Sequence, residues 1–221
     1  MTEAAQPHLP TPDCPLCPRL AAFRATQRAA HPDWFNAPVP PFGESGAELL
    51  IVGLAPGLRG ANRTGRPFTG DYAGDLLYAT LRKFGLAAGD YAAHRDDGLS
   101  LIGVRITNAV RCVPPQNKPE TAEIGACRPF LAGELAALPR LRAVVALGSI
   151  AHQAVLAARG ERRAAYPFAH AALHELPGGL LLADSYHCSR LNTNTGKLTP
   201  AMFEAVFAAV VERLGPTPRP S

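Results

Sequence analysis

The stretch LLIVGLAPGLRGANRTGRPFTGDYAGD, residues 49–75, decides how the chain folds. It opens on a short apolar run, residues 49–52, of the kind a strand buried on both faces requires. A loop follows, punctuated by Gly53, Pro56, Gly57, Gly60, Gly65, Pro67 and Gly70. Apolar residues then return at Leu76, Leu77, Leu81 and Phe84, which predicts a helix over residues 71–84. In an open α/β sheet, ligands sit beyond the carboxyl ends of the strands, so this loop belongs at the ligand site. Its length points the same way, because long structureless loops in compact domains usually serve a function.

Two common phosphate loops do not fit it. The GK[ST] ending of a P-loop is missing, and so is the G-x-G-x-x-G spacing of a dinucleotide fingerprint. The loop instead holds an aromatic ring (Phe68), a carboxylate (Asp71) and two basic residues (Arg63, Arg66) among glycines. Such a set suits a pocket for a flat polar ring beside a phosphate backbone.

Outward from this stretch, three more apolar runs read as strands: residues 105–110 (RITNAV), 142–147 (RAVVAL) and 180–183 (LLLA). Helical patterns cover residues 19–30, 120–138, 149–159 and 200–214, with Thr199 as an N-cap and Pro200 at the first helical position of the last. Strands alternating with helices predict an α/β fold: three α/β/α layers around a central four-stranded parallel sheet. Residues 1–13 read as a flexible lead-in, 14–214 as a single domain and 215–221 as a flexible tail. Residues 85–104 read as polar and irregular. His152, among alanines on the fourth helical segment, reads as a packed or surface histidine and not a catalyst.

The 221 residues are 47% hydrophobic and 18% charged, with net charge +4, an ordinary globular composition compatible with a nucleic-acid partner. No apolar run reaches membrane-spanning length, and the N-terminus lacks a basic region followed by an apolar core. A cytoplasmic protein with no membrane contact is the expectation.

Five cysteines in such a chain favour metal binding or catalysis over a disulfide scaffold. Cys14 and Cys17 form a CxxC pair at a helix start, where two thiolates can reach one metal centre. Cys112 and Cys127 supply a second pair, although a free cysteine is also a good small core residue. Zinc and iron–sulfur both accept four thiolates, and spacing does not choose between them.

Parallel strands share one carboxyl edge, so Phe68 and Asp71, Asn108, and His187 with Arg190 are expected to converge there. The residues at these positions carry a family resemblance. Gly53-Leu54-Ala55-Pro56-Gly57 with residues 62–71, Thr107-Asn108 ahead of Cys112, and residues 185–187 through Gly196 resemble the uracil-DNA glycosylase superfamily. The similarity is to its iron–sulfur branch, family 5 (type B), over residues 14 to about 210.

That resemblance implies a monofunctional DNA repair glycosylase that hydrolyses the bond between deoxyribose and a flipped uracil. Other deaminated or modified bases are further candidates. It implies a structural [4Fe–4S] cluster on Cys14, Cys17, Cys112 and Cys127, stapling the N-terminal helix to the sheet domain. The implied catalytic residues are Asp71, His187 and Asn108. Gly53, Leu54, Ala55, Phe68, Ser189, Arg190 and Leu191 join Asn108 around the substrate. Leu191 would wedge into the base stack, and Arg190, Lys197, Arg63 and Lys118 would meet phosphates. The expected partners are DNA carrying uracil or another damaged base, and abasic-site DNA, bound by a monomer.

Two residues depart from the superfamily. Leu54 stands where its best-known members have a polar residue, as it does in family 5, and leaves Asp71 to handle the attacking water. Cys188 follows His187 where many relatives have proline, and reads as loop packing. The rival functions are a damage-binding module without turnover and a zinc-stapled nucleotide hydrolase. The latter normally needs an acidic metal pair or a phosphate loop, and the sequence has neither.

Overall fold

A computed structural model describes residues 9–215. Parts of the expected lead-in (1–8) and tail (216–221) lie outside the described residues. In chain order the elements begin α1 (Pro18–Ala30), β1 (Phe42–Gly43), β2 (Leu49–Gly53), α2 (Ala61–Thr64) and α3 (Tyr72–Lys83). Next come β3 (Ala87–Ala88), β4 (Ser100–Leu101), β5 (Val104–Asn108), α4 (Thr121–Ala136), β6 (Ala143–Leu147) and α5 (Ser149–Arg159). The chain closes with β7 (Leu173–Leu176), β8 (Leu180–Ser185), α6 (Arg190–Asn194) and α7 (Pro200–Leu214).

The main sheet runs β1-β5-β2-β6-β8-β7. Its inner four strands are parallel and coincide with the four apolar runs. The sheet is larger than the four strands expected. β1 adds to one edge and β7 to the other, both antiparallel. Both are short and half-buried, so neither carries the continuous apolar run that marks an inner strand. β7 joins β8 through the tight turn at Gly178 and Gly179, both with positive φ. Residues 85–104 also hold a small hairpin of β3 and β4.

Alternation along the strands divides the core between two faces. Leu49, Ile51, Val104, Ile106, Val145 and Ala183 pack with Leu77, Tyr78 and Leu81 of α3 and Phe203, Phe207 and Val210 of α7. Leu50, Val52, Val144, Ala146 and Leu182 pack with Leu131 and Leu135 of α4 and Ala151 and Val155 of α5. Each fully buried aliphatic side chain contributes about 1.5–3 kcal/mol, so removing either helix pair would expose a whole sheet face. Among the described residues no helix is long and apolar enough to cross a membrane.

Candidate active site

The carboxyl edge of the sheet is built from the ends of β2, β5 and β8. Gly53 and Asn108, the last residues of β2 and β5, stand opposite each other in register. The amides of Ala109 and Val110 continue that pairing by donating to the carbonyls of Gly53 and Leu54 at 2.9 and 3.0 Å. Asn108 is buried, and its Oδ1 has no hydrogen-bond partner among the described residues. A Cβ on residue 53 would lie 2.4 Å from that oxygen and 2.5 Å from Cζ of Phe68. Glycine here is what lets amide and ring close on the same point.

Phe68 is held in the left-handed region, φ 53°, an unusual backbone state for a bulky residue. The loop around it is pinned on several sides. Asn62 Nδ2 donates to Asn36 Oδ1 at 2.9 Å, and Thr64 Oγ1 donates to the carbonyl of Thr69 at 3.1 Å. Beneath it, Arg66 grips both carboxylate oxygens of Asp97 at 2.7 Å and lies over the rings of Phe42 and Tyr78. Arg66 is therefore a structural cation, 4% exposed, and not a residue for the phosphate backbone.

Asp71 caps α3, with Oδ1 accepting from the amide of Gly74 at 3.2 Å. Its other oxygen is wrapped by glycine backbone: a Cβ at Gly60 would lie 2.3 Å from Oδ2, and one at Gly57 2.9 Å. Burial pushes this carboxyl above the usual aspartate range, against the amides of Gly74 and Ala73, which pull it down.

His187 stands two residues beyond β8 and faces Phe68, with ring centroids 6.1 Å apart and planes 28° from parallel. Burial alone pushes its imidazole down to about 4, so the ring is neutral at physiological pH. Asn192 Nδ2 donates to its backbone carbonyl at 2.8 Å, tying α6 to it. Ser189 caps α6 by accepting from the Asn192 amide at 3.4 Å, and Leu191 projects from that helix 71% exposed. Arg190 lies over the ring of Tyr72, 5.4 Å from its centroid. Cys188 is fully buried, its thiol donating to the carbonyl of Ala73 at 3.5 Å, in keeping with a packing role.

Leu54, Ala55, Phe68, Asp71, Asn108, His187, Ser189, Arg190 and Leu191 all line one pocket of about 720 Å³. The three distant segments thus meet. Sequence reasoning did not pick out Arg59, Tyr72 and Asn117, which line the same pocket. Arg59 carried a readable signal: it is the basic residue between the two glycines that wrap Asp71. Asn117 has φ 56°, which no sequence pattern announced. His152 is buried behind the site, with Nδ1 2.7 Å from Asp184 Oδ1 and Nε2 2.8 Å from the carbonyl of Tyr166.

Cys14, Cys17, Cys112 and Cys127 gather around a second, small cavity with Leu20 and Phe130. All are free thiols. Four thiolates on one zinc ion stand about 3.8 Å apart, given a Zn–S bond of ~2.3 Å. Among the described residues, the one trio of potential ligands closed to within 4.8 Å is His152, His174 and Asp184, with no cysteine. No three of the four thiols are therefore within that reach of one another.

A family model described as the uracil DNA glycosylase superfamily matches residues 40–211. A type-5 uracil-DNA glycosylase of Thermus thermophilus is 50% identical over 200 residues, covering 88% of this chain and 90% of the relative. The type-5 enzyme of Mycobacterium tuberculosis is 43% identical over 202 residues, covering 88% and 75%. That of Pyrobaculum aerophilum is 44% identical over 191 residues, covering 85% and 83%.

Proposed function

This chain belongs to the uracil DNA glycosylase superfamily, and from that premise we propose that it hydrolyses the N-glycosidic bond of uracil in DNA, leaving an abasic site. The observation that carries the reading is the buried Asn108 Oδ1, without a hydrogen-bond partner among the described residues, which closes with the Phe68 ring on the same point beside Gly53. Such an acceptor is costly unless something pairs with it, and the N3–H of a flipped uracil supplies the missing donor.

The roles follow from the geometry. Phe68 stacks on the pyrimidine while Asn108 reads its edge. As the bond between C1′ and N1 breaks, its electron pair passes to the base and positive charge grows on the sugar. His187, neutral at physiological pH, donates N–H to the base oxygen that takes up this charge. A donor so placed contributes about 3–4 kcal/mol. The Asp71 carboxylate favours the cationic sugar and orients the water that adds to C1′, as carboxylates do in glycoside hydrolysis. Leu191 fills the gap left in the stack. Arg59, Arg63, Lys118, Arg190 and Lys197 meet phosphates, so that binding weakens with salt. Other deaminated or modified bases are further candidate substrates of the same pocket. The enzyme works as a monomer in the cytoplasm, on uracil-bearing or abasic DNA.

Cys14, Cys17, Cys112 and Cys127 would hold a [4Fe–4S] cluster. When bound, it supplies a covalent staple between the start of α1 and the loop and helix after β5, with no part in the hydrolysis. The free thiols and their gathering where the start of α1 meets the loop and helix after β5 support this reading.

The test is single-turnover release of free uracil from a uracil-containing duplex. Release at a rate that collapses in Asn108→Ala is the expected result. Tight binding without release would make the protein a damage-binding module instead.

A further inference from the structure

The cysteine cavity is lined by two arginines, Arg24 and Arg111, that are 5% and 1% exposed. A buried guanidinium needs a counter-charge or a full set of acceptors. Arg24 has neither in the protein: it takes part in no ion pair among the described residues. Its Nη2 donates to the carbonyl of Cys14 at 2.9 Å, and its Nη1 points at Cys112 Sγ at 3.5 Å. Arg111 meets Glu134 at 3.2 Å, but that carboxylate is shared with Arg105. Arg111 Nε and Nη1 are buried with no partner among the described residues, while its backbone amide points at Cys127 Sγ at 3.4 Å.

Three guanidiniums therefore face one carboxylate in this corner, an excess of two positive charges. The nearby Glu123 is matched by Arg19, whose second partner, Glu120, is 62% exposed and screened by solvent. Four thiolates around a [4Fe–4S]²⁺ core carry two negative charges.

We infer that Arg24 and Arg111 are the counter-charges of the cluster and donate hydrogen bonds to its sulfurs, setting its reduction potential. The inference rests on the cluster reading above. Net charge and hydrogen bonds to sulfur are the levers a protein has on such a potential. Taking away a buried cation makes the cluster harder to reduce and easier to oxidise.

The experiment uses the full chain as purified, with Arg24→Gln, which keeps an amide donor but no charge, and Arg24→Lys, which keeps the charge. Iron content, the midpoint potential of the one-electron couple at an electrode and the rate of bleaching in air are measured. Arg24→Gln is expected to shift the reduction equilibrium about tenfold towards the oxidised form, 59 mV for one electron, and to bleach faster. Arg24→Lys is expected to stay close to wild type. Failure of Arg24→Gln to assemble any cluster where Arg24→Lys does would support the same assignment. Unchanged potentials in both variants would overturn it, as would equal loss of the cluster in both. Wild-type protein without iron would instead remove the cluster reading itself.

Discussion

Gly53 and Asn108 face each other across adjacent strand ends so closely that a methyl group on Gly53 would stand 2.4 Å from Asn108 Oδ1. The same methyl would stand 2.5 Å from Phe68 Cζ, so both base-reading groups depend on a missing side chain. Gly53→Ala is expected to push ring and amide apart and close the base seat. The predicted loss is at least a hundredfold in kcat/KM, about 2.7 kcal/mol of transition-state stabilisation. The overpacking costs about 1–3 kcal/mol of stability, which leaves a protein of this size folded. Single-turnover kinetics with circular dichroism as the folding control decide it. A folded Gly53→Ala enzyme with full activity would mean the base binds elsewhere.

Leu191, 71% exposed on a five-residue helix, contributes almost nothing to the core. Leu191→Ala is therefore expected to leave thermal stability unchanged. Excision from duplex DNA should slow about ten- to hundredfold, because an empty stack favours return of the base. Uracil in a single strand needs no wedge and should be excised at nearly the wild-type rate. Comparing the two substrates is the measurement, and an equal loss on both would assign Leu191 to contact with the reacting nucleotide.

How much of this could be read in advance depended on how local the cause was. The inner strands were legible because burial on both faces demands a continuous apolar run, and residues 49–52 or 180–183 supply one. Asp71 and Thr199 were legible as helix starts, since an N-cap acts over three residues. Edge strands such as β7, with His174 and Glu175 in the middle, make no such demand and were passed over. Arg66 was misread beside Arg63 because the carboxylate that buries it, Asp97, lies 31 residues away and nothing local announces the pair. Of the site, the loop, amide and imidazole were readable as types at strand ends. The closeness of Phe68 to His187, and the arginines behind the cysteines, exist only once the sheet has brought the segments together.

Behind β8, the pair of His152 and Asp184 predicts a pH-dependent stability. Both ring nitrogens of His152 face acceptors, the carboxylate and the Tyr166 carbonyl, and this favours the imidazolium. Burial opposes that charge, but the hydrogen bond and charge of Asp184 outweigh it, and the pKa is raised above 6.5. The folded protein thus holds this proton more tightly than the unfolded chain. The stabilisation is fully present below about pH 6.5 and fades as pH rises through the folded pKa. Asp184→Asn is expected to cost about 3–5 kcal/mol at pH 6, the usual result of breaking a buried pair. Its urea midpoint should also change less than that of the wild type between pH 6 and 9. Parallel pH profiles for the two proteins would show that the pair does not titrate.

Asp71 carries the opposite sign, and it separates stability from catalysis. Burial raises this carboxyl above its unfolded value, so keeping it ionised in the folded protein costs stability at neutral pH. Asp71→Asn removes the buried charge while its side-chain oxygen can still accept from the Gly74 amide and cap α3. The variant should melt higher than wild type at pH 7, by about 2–4 °C for each kcal/mol recovered. That advantage should shrink as pH falls and the wild-type carboxyl takes up its own proton. Excision should drop by a hundredfold or more, since an amide neither favours a cationic sugar nor aligns water for attack. In the wild type, kcat/KM should fall on acidification as Asp71 is protonated, while His187 stays neutral down to about pH 4. Calorimetry and single-turnover rates on the same preparations test both halves. An Asp71→Asn protein that melts lower and still excises uracil would show that this carboxylate serves the helix cap and not the reaction.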